Sequence, residues 1–127
     1  MAKKDDRPID VGLAALRGVD EATAIAFWKR RMEMIAAIPS DIARVGALTP
    51  QLRELTRLPD GERERLTKAR VVAFAALAPD VRQRVGETRR AAWKVDRDVL
   101  EKDQTMVEKI LPGLDANVRS AYPPRPS

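Results

Sequence analysis

The acidic cluster of this chain lies between residues 96 and 103 and contains Asp96, Asp98, Glu101 and Asp103. Because Asp96 and Asp103 are seven residues apart, a helix places both carboxylates on one face, beside apolar residues. A partly buried carboxylate at that place would bind a cation or act as an acid or base. The alternative is that each carboxylate pairs with an arginine from a neighbouring helix, and we expect this second arrangement.

Other catalytic and metal-binding chemistries lack their usual residues. The chain has no histidine and no cysteine, so the commonest general base and the ordinary ligands of zinc and iron–sulfur centres are missing. Its six glycines never cluster into a phosphate-binding loop. The sequence therefore predicts a non-enzymatic protein with no catalytic residues, no metal and no cofactor.

A basic face is predicted on the helix that precedes the acidic cluster. Its members are Arg82, Arg89, Arg90, Lys94 and Arg97, with Trp93 beside them. One interpretation is a solvated face whose arginines pair with nearby acids such as Glu87. The other is a candidate interaction surface for an anionic partner, either an acidic protein surface or nucleic acid, since guanidinium groups suit carboxylates and phosphates. The net charge of +5 is modest for a nucleic-acid-binding protein, and no helix-turn-helix, zinc-finger, RRM or KH pattern is visible.

A long helix is predicted over residues 80–111, spanning about 48 Å. Asp80 and Gln83 have the spacing of a capping box, and no strong breaker follows before Pro112, because Gly86 alone only weakens a helix. Its apolar stripe consists of Val85, Thr88, Ala92, Val95, Val99 and Met106. The helix is basic at its start and acidic toward its end, a distribution that suits self-association as well as binding to another protein.

Prolines divide the rest of the chain into shorter helices. Pro39, Pro50, Pro59, Pro79 and Pro112 are each followed by helix-forming sequence, and proline fits the first turn of a helix but not its interior. The predicted elements are a short helix capped by Asp10 and ended by Gly18, a helix capped by Asp20 reaching Ala37, helices Ser40–Ala47 and Thr49–Arg57, a helix capped by Asp60 reaching Leu77, and a last helix over 114–121. The fold class predicted is an all-α, single-domain helical bundle. The apolar run from Val71 to Leu77 is expected at its centre.

The domain organisation predicted is a flexible tail over residues 1–7, a helical domain over 8–121 and a proline-rich tail over 122–127. The proline-rich tail has the PxxP spacing of peptides that bind aromatic-lined grooves. No apolar run approaches the roughly 20 residues that span a bilayer, and no targeting segment is visible. We therefore expect a cytoplasmic protein that does not insert into membranes.

Three functions are consistent with these patterns. The first is a non-enzymatic helical interaction or accessory protein that docks on a protein partner, or self-associates, through its long helix. The second is a nucleic-acid-associated basic protein that uses the arginine face of residues 82–97. The third is a small ligand-binding or enzymatic bundle that uses Asp96 and Asp103.

Overall fold

The computed structural model describes residues 13–126, and this range is helical nearly throughout, with no strand. The α-helices are α1 (Glu21–Ala36), α2 (Asp41–Thr56), α3 (Asp60–Ala75), α4 (Pro79–Val95), α5 (Arg97–Ile110) and α6 (Ala116–Ala121). One 3-10 helix, Leu13–Leu16, precedes α1, and another, Leu111–Gly113, joins α5 to α6. The predicted all-α bundle is therefore confirmed.

The first two α-helices begin with side-chain caps. The Asp20 carboxylate accepts a hydrogen bond from the Thr23 backbone N–H at 2.8 Å, as the sequence predicts. The Ser40 hydroxyl accepts one from the backbone N–H of Ala43 at 3.2 Å. Each bond satisfies one backbone donor that the first turn leaves without a helical partner.

The predicted caps of α3 and α4 are wrong. Asp60 is the first residue of α3, after Pro59, and α4 begins at Pro79, so Asp80 already lies in its first turn. Neither helix has a side-chain cap hydrogen bond. Proline at the start of α4 provides a preset φ and lacks an N–H to satisfy. The two aspartates therefore act through their charge near the positive end of each helix.

The helix predicted to follow Asp10 begins outside the described residues. Its described part is the 3-10 helix Leu13–Leu16, whose two leucines are buried. Gly18 then takes a left-handed φ of 74°, which glycine adopts without strain. The backbone N–H of Leu13 donates to the Glu54 carboxylate at 2.9 Å, which fixes this segment against α2.

The segment predicted as two helices around Pro50 is one continuous helix. Pro50 lies inside α2 and is exposed. Leu48, Leu52 and Leu55 are all buried on the opposite side of α2. Burying three leucines on one stripe stabilises a continuous helix by more than the roughly 3 kcal/mol that an interior proline costs. Tertiary packing therefore overrides the local preference.

The predicted long helix is instead a helical hairpin. The range 80–111 is helical as expected, but α4 ends at Val95 and α5 begins at Arg97, and Asp96 between them has the non-helical angles φ −142° and ψ 68°. Arg89 on α4 lies 2.8 Å from the carboxylate of Asp103 on α5. In an uninterrupted helix these two residues would lie about 21 Å apart. The chain therefore folds back at Asp96, while α4 runs through Gly86 without interruption.

The core lies around α3, as predicted from its apolar second half. Val71, Ala73, Phe74 and Leu77 are buried and pack in one cluster with residues of α1, α5 and α6. A second cluster joins α2 to the α4–α5 hairpin and contains Ile35, Val45, Leu48, Leu52, Ala92, Trp93 and Leu100. Between residues 13 and 126, no helix combines the length and apolarity needed to cross a bilayer.

Candidate interaction surface

A buried charge cluster, formed by Arg70, Arg89 and Asp103, supports the candidate surface from below. The Nη2 atom of Arg70 donates to both oxygens of Asp103 at 2.7 Å. Arg89 lies 2.8 Å from the same carboxylate and also donates to the Gln104 side chain at 2.8 Å. All three charged residues are at most 5% exposed. Since they come from α3, α4 and α5, the cluster fixes these three helices relative to one another.

The Asp103 carboxyl remains ionised in this environment. Burial alone would raise its pKa, but the charges of Arg70 and Arg89 outweigh burial and hold the pKa below its usual value. Burial alone would lower the pKa of the Arg70 guanidinium, but the charge of Asp103 outweighs burial and raises this pKa. The Asp103 carboxyl and the Arg70 guanidinium are therefore both charged near neutral pH.

Tyr122 connects the buried cluster to the residues that follow α6. Its hydroxyl accepts a hydrogen bond from Arg70 Nη1 at 2.7 Å, and its ring packs edge-on against Phe74 at 5.2 Å. The guanidinium of Arg89 lies 5.3 Å from the centre of the same ring. Because Tyr122 is buried in these contacts, the next residues, 123–126, begin at a fixed place on the surface.

We call residues 123–126 the proline-rich segment, and Arg125 holds it against α4 and α5. Arg125 donates to the Glu108 carboxylate from Nε at 3.3 Å and from Nη2 at 3.1 Å, and it also pairs with Glu101. Its guanidinium lies 5.9 Å from the centre of the Trp93 ring. The hydrogen bond from Arg125 lowers the pKa of the Glu108 carboxyl, and Glu108 and Glu101 raise the pKa of Arg125.

A groove runs along α4 beside the proline-rich segment. Its first part is a cleft of about 330 Å³, lined by Gly86, Arg89, Arg90, Trp93, Pro123, Pro124, Arg125 and Pro126. A second cleft of about 560 Å³ shares Gly86, Arg90 and Pro123 with the first, and continues along α4 to Pro79. Gly86 has no side chain to fill the place where the clefts meet. We call the two clefts together the α4 groove.

The residues predicted to form the basic face do not share one solvated surface. Arg89 and Trp93 are buried. Arg82 is half-buried and donates to the carbonyls of Ala75 and Leu77 at 3.3 Å, at the end of α3. The expectation of a common face is therefore wrong for these three, because the bundle uses them for packing and helix capping.

The other three predicted residues are exposed at the end of the hairpin. Arg97 lies on α5, 3.7 Å from the Glu101 carboxylate, with its guanidinium 5.9 Å from the centre of the Trp93 ring. Arg90 and Lys94 are exposed on α4 and have no hydrogen-bond or ion-pair partner within residues 13–126. Arg90 lines both clefts of the α4 groove. The available positive charge of the candidate surface is thus concentrated at these two residues.

The two aspartates considered for binding or catalysis both have arginine partners. Asp103 belongs to the buried charge cluster, and Asp96 pairs with Arg53 of α2. Each carboxylate therefore makes the salt bridge that the sequence favours. Within the part of the chain that the structure describes, no three acidic residues lie close enough to hold a metal ion.

Sequence reasoning missed Tyr122 and Arg125 as parts of the candidate surface. Both lie in a proline-rich stretch that resembles an ordinary frayed end. The available signal was an aromatic residue and an arginine among three closely spaced prolines, a combination typical of bound polyproline segments. Comparison of the chain with protein-family models, curated protein sequences and solved structures gave no significant match.

Proposed function

We propose that this chain is a non-enzymatic interaction protein that docks on a protein partner through the α4 groove. The observation that carries the proposal is the position of Arg90, an exposed guanidinium that has no partner among residues 13–126 and lines both clefts of the groove. Lys94 lies one helical turn further along α4 and is exposed as well. An acidic segment of a partner would pair with these two cations while its apolar atoms cover the exposed prolines of the groove.

The groove has the composition of a recognition surface. It combines guanidinium groups, an aromatic ring and proline rings, and arginine and aromatic residues are enriched in the centres of protein interfaces. Its α4 wall is held in place by the buried charge cluster, which contains Arg89 of that helix. A rigid wall favours affinity, because little conformational entropy is lost on binding.

A charge-reversal experiment tests the proposal. Tagged full-length protein, Arg90→Glu and Arg30→Glu are used to capture partners from the native lysate at about 0.1 M salt, where exposed charges still interact over about 10 Å. Arg30 is the matched control, since it is exposed on α1 and has no partner within residues 13–126. We expect a captured protein that Arg30→Glu retains and Arg90→Glu loses, and isothermal titration with that purified protein then measures the loss.

Two results would contradict the proposal. One is a monomer in light scattering for which Arg90→Glu changes no captured protein. The other is capture that disappears after nuclease treatment, which would instead support the nucleic-acid function predicted for residues 82–97. Phosphate contacts strengthen steeply at low salt, so a gel shift at about 50 mM salt detects that alternative directly.

A further inference from the structure

The residues in contact with Arg125 form a binding site for its guanidinium group. Glu108 accepts two hydrogen bonds from it, at 3.1 and 3.3 Å, and Glu101 is its second ion-pair partner. These acids lie seven residues apart on α5, so one face of that helix presents both. The Trp93 ring lies beneath, 5.9 Å from the guanidinium carbon. We call Trp93, Glu101 and Glu108 the arginine clamp.

The sequence around Arg125 favours the extended backbone that bound proline peptides adopt. Pro123, Pro124 and Pro126 fix φ near the polyproline II value, and a residue before proline is itself held extended. Tyr122 enters the segment at φ −82° and ψ 133°. Proline-rich peptides dock on aromatic surfaces in this conformation because they lose little entropy on binding. The proline-rich segment therefore lies on the bundle as a peptide ligand lies on its receptor.

We propose that the arginine clamp is a binding site for proline–arginine segments of a partner protein, and that residues 123–126 occupy it in cis. The inference deepens the proposed function, because it names a ligand class for the acidic side of the same surface. Arg125, Glu101 and Glu108 have side chains between 36% and 46% exposed. Ion pairs so exposed are weak and screened by salt, so the cis segment is displaceable.

The position of Tyr122 favours a partner segment over a second copy of this chain. Tyr122 is buried and directly precedes the proline-rich segment. Arg125 lies three residues beyond Tyr122, and three residues reach at most about 11 Å, so placing Arg125 in the clamp of a second copy would require withdrawing Tyr122 from the core. A partner segment needs only to displace residues 123–126. The occupant is therefore an extended segment of another protein with arginine between prolines.

Competition with a peptide tests this inference on the full chain. The probe is a blocked synthetic peptide, Pro-Pro-Arg-Pro-Ser, and the readout is the NMR signal of the Trp93 indole N–H. The variant Arg125→Glu opens the clamp, since a glutamate there faces Glu101 and Glu108. We expect the peptide to bind this variant at least about tenfold more tightly than the natural chain, because the site is then no longer occupied in cis.

Three controls make the result specific. Arg30→Glu changes the net charge equally and should bind the peptide as the natural chain does. A peptide with glutamate in place of arginine should not bind. Adding Glu101→Gln and Glu108→Gln to Arg125→Glu should abolish binding. The Trp28 indole signal and the methyl spectrum confirm that each variant is folded.

Three experimental outcomes would overturn the inference. One is a folded Arg125→Glu variant whose Trp93 signal does not respond to the peptide. Another is binding that survives the two glutamine substitutions. A third is a dimer of the natural chain that Arg125→Glu dissociates into monomers, which would assign the clamp to a second copy. If the peptide fails while Arg90→Glu still loses its captured partner, the inference falls and the proposed function stands.

Discussion

Arg70 Nη2 lies 2.7 Å from both carboxylate oxygens of Asp103, inside the bundle. Arg70 comes from α3 and Asp103 from α5, and Arg89 of α4 approaches the same carboxylate. The cluster also holds Tyr122, through the hydrogen bond from Arg70. One carboxylate thus connects three helices to the start of the proline-rich segment. The candidate surface therefore depends on a carboxylate that is itself buried.

Replacing Asp103 with asparagine should destabilise the fold strongly. The substitution keeps the side chain's size but leaves two buried guanidinium groups without a counter-charge. Removing one partner of a buried ion pair typically costs about 3–5 kcal/mol. We expect the free energy of unfolding of Asp103→Asn, measured by urea titration, to fall by about that amount.

Asp96→Asn is the matched control for that measurement. Asp96 pairs with Arg53, but the Arg53 side chain is 41% exposed, and exposed ion pairs contribute about 1 kcal/mol or less. A loss below about 1 kcal/mol is therefore expected. Equal losses in the two variants would contradict the role assigned to the buried cluster.

Stability should depend on pH in the acid range only. The folded-state pKa of Asp103 lies below its value in the unfolded chain, which is about 3.9. The stabilisation is therefore complete above about pH 5 and is lost as pH falls through the folded-state pKa. The same sign holds for Glu62, whose pKa its hydrogen bond with Arg65 lowers. Since the chain has no histidine, urea midpoints should be level from about pH 6 to 8.

The pH experiment also separates Asp103 from the other acids. In Asp103→Asn the carboxyl is absent, so its part of the acid-induced loss disappears. We expect the natural chain to lose more stability between about pH 5 and pH 3 than the variant does. Parallel curves for the two proteins would show that Asp103 does not contribute the pH dependence.

Tyr122→Phe should remove one buried hydrogen bond and leave the ring in place. The hydroxyl accepts from Arg70 Nη1 at 2.7 Å, and hydrogen bonds to charged groups contribute about 1.5–3 kcal/mol. We expect urea unfolding to report a loss of about 2 kcal/mol. Ser120→Ala removes an exposed hydroxyl bonded to its own helix and should change little. A Tyr122→Phe variant as stable as the natural chain would mean that Asp103 alone satisfies Arg70.

The sequence predicted helices reliably and their connections less well. The Asp20 cap is a local signal and is confirmed, and the apolar run Val71–Leu77 is confirmed in part, since four of its seven residues are buried. The break at Asp96 has no local signal, because neither proline nor glycine is near. It arises from the pairing of Arg89 with Asp103 and the burial of Trp93 with Leu100. Contacts between residues distant in sequence determine this hairpin, and the periodicity of apolar residues along a helix does not predict such contacts.

The candidate surface was predicted only in part for the same reason. A helical wheel places Arg89 and Arg90 side by side, yet one is buried in an ion pair and the other is exposed. The difference depends on which side of α4 packs against the other helices, mainly α1, α2 and α5. Arg125 was missed because its acidic partners, Glu101 and Glu108, are distant in sequence.

Pro50→Ala should stabilise the fold. Pro50 lies inside α2 and cannot donate a helical hydrogen bond. Alanine would restore that bond. It would also raise the conformational entropy of the unfolded chain, which offsets part of the gain. We expect a net gain of about 2 kcal/mol in urea unfolding. Pro59→Ala is the control, since Pro59 precedes α3, where the missing N–H has no cost. If neither variant changes the free energy of unfolding, Pro50 does not destabilise α2 and the prediction is wrong.

Gly86→Ala should separate the stability of α4 from the use of its groove. A Cβ at Gly86 would meet only Phe74, at 3.9 Å, which is ordinary contact. Replacing an interior glycine of a helix with alanine gains up to about 1 kcal/mol. Gly46→Ala should gain a similar amount in α2, where nothing lies within 4 Å of the new methyl group.

Of the two added methyl groups, the one at residue 86 narrows the α4 groove where its two clefts meet, whereas the one at residue 46 lies outside the groove. We therefore expect Gly86→Ala to weaken capture of the partner about tenfold, equivalent to about 1.4 kcal/mol, while Gly46→Ala leaves capture unchanged. Urea unfolding and titration with the purified partner measure the two effects separately. If Gly86→Ala is stabilised and binds normally, the partner does not enter the groove at Gly86, and its contacts are confined to the rim around Arg90 and Lys94.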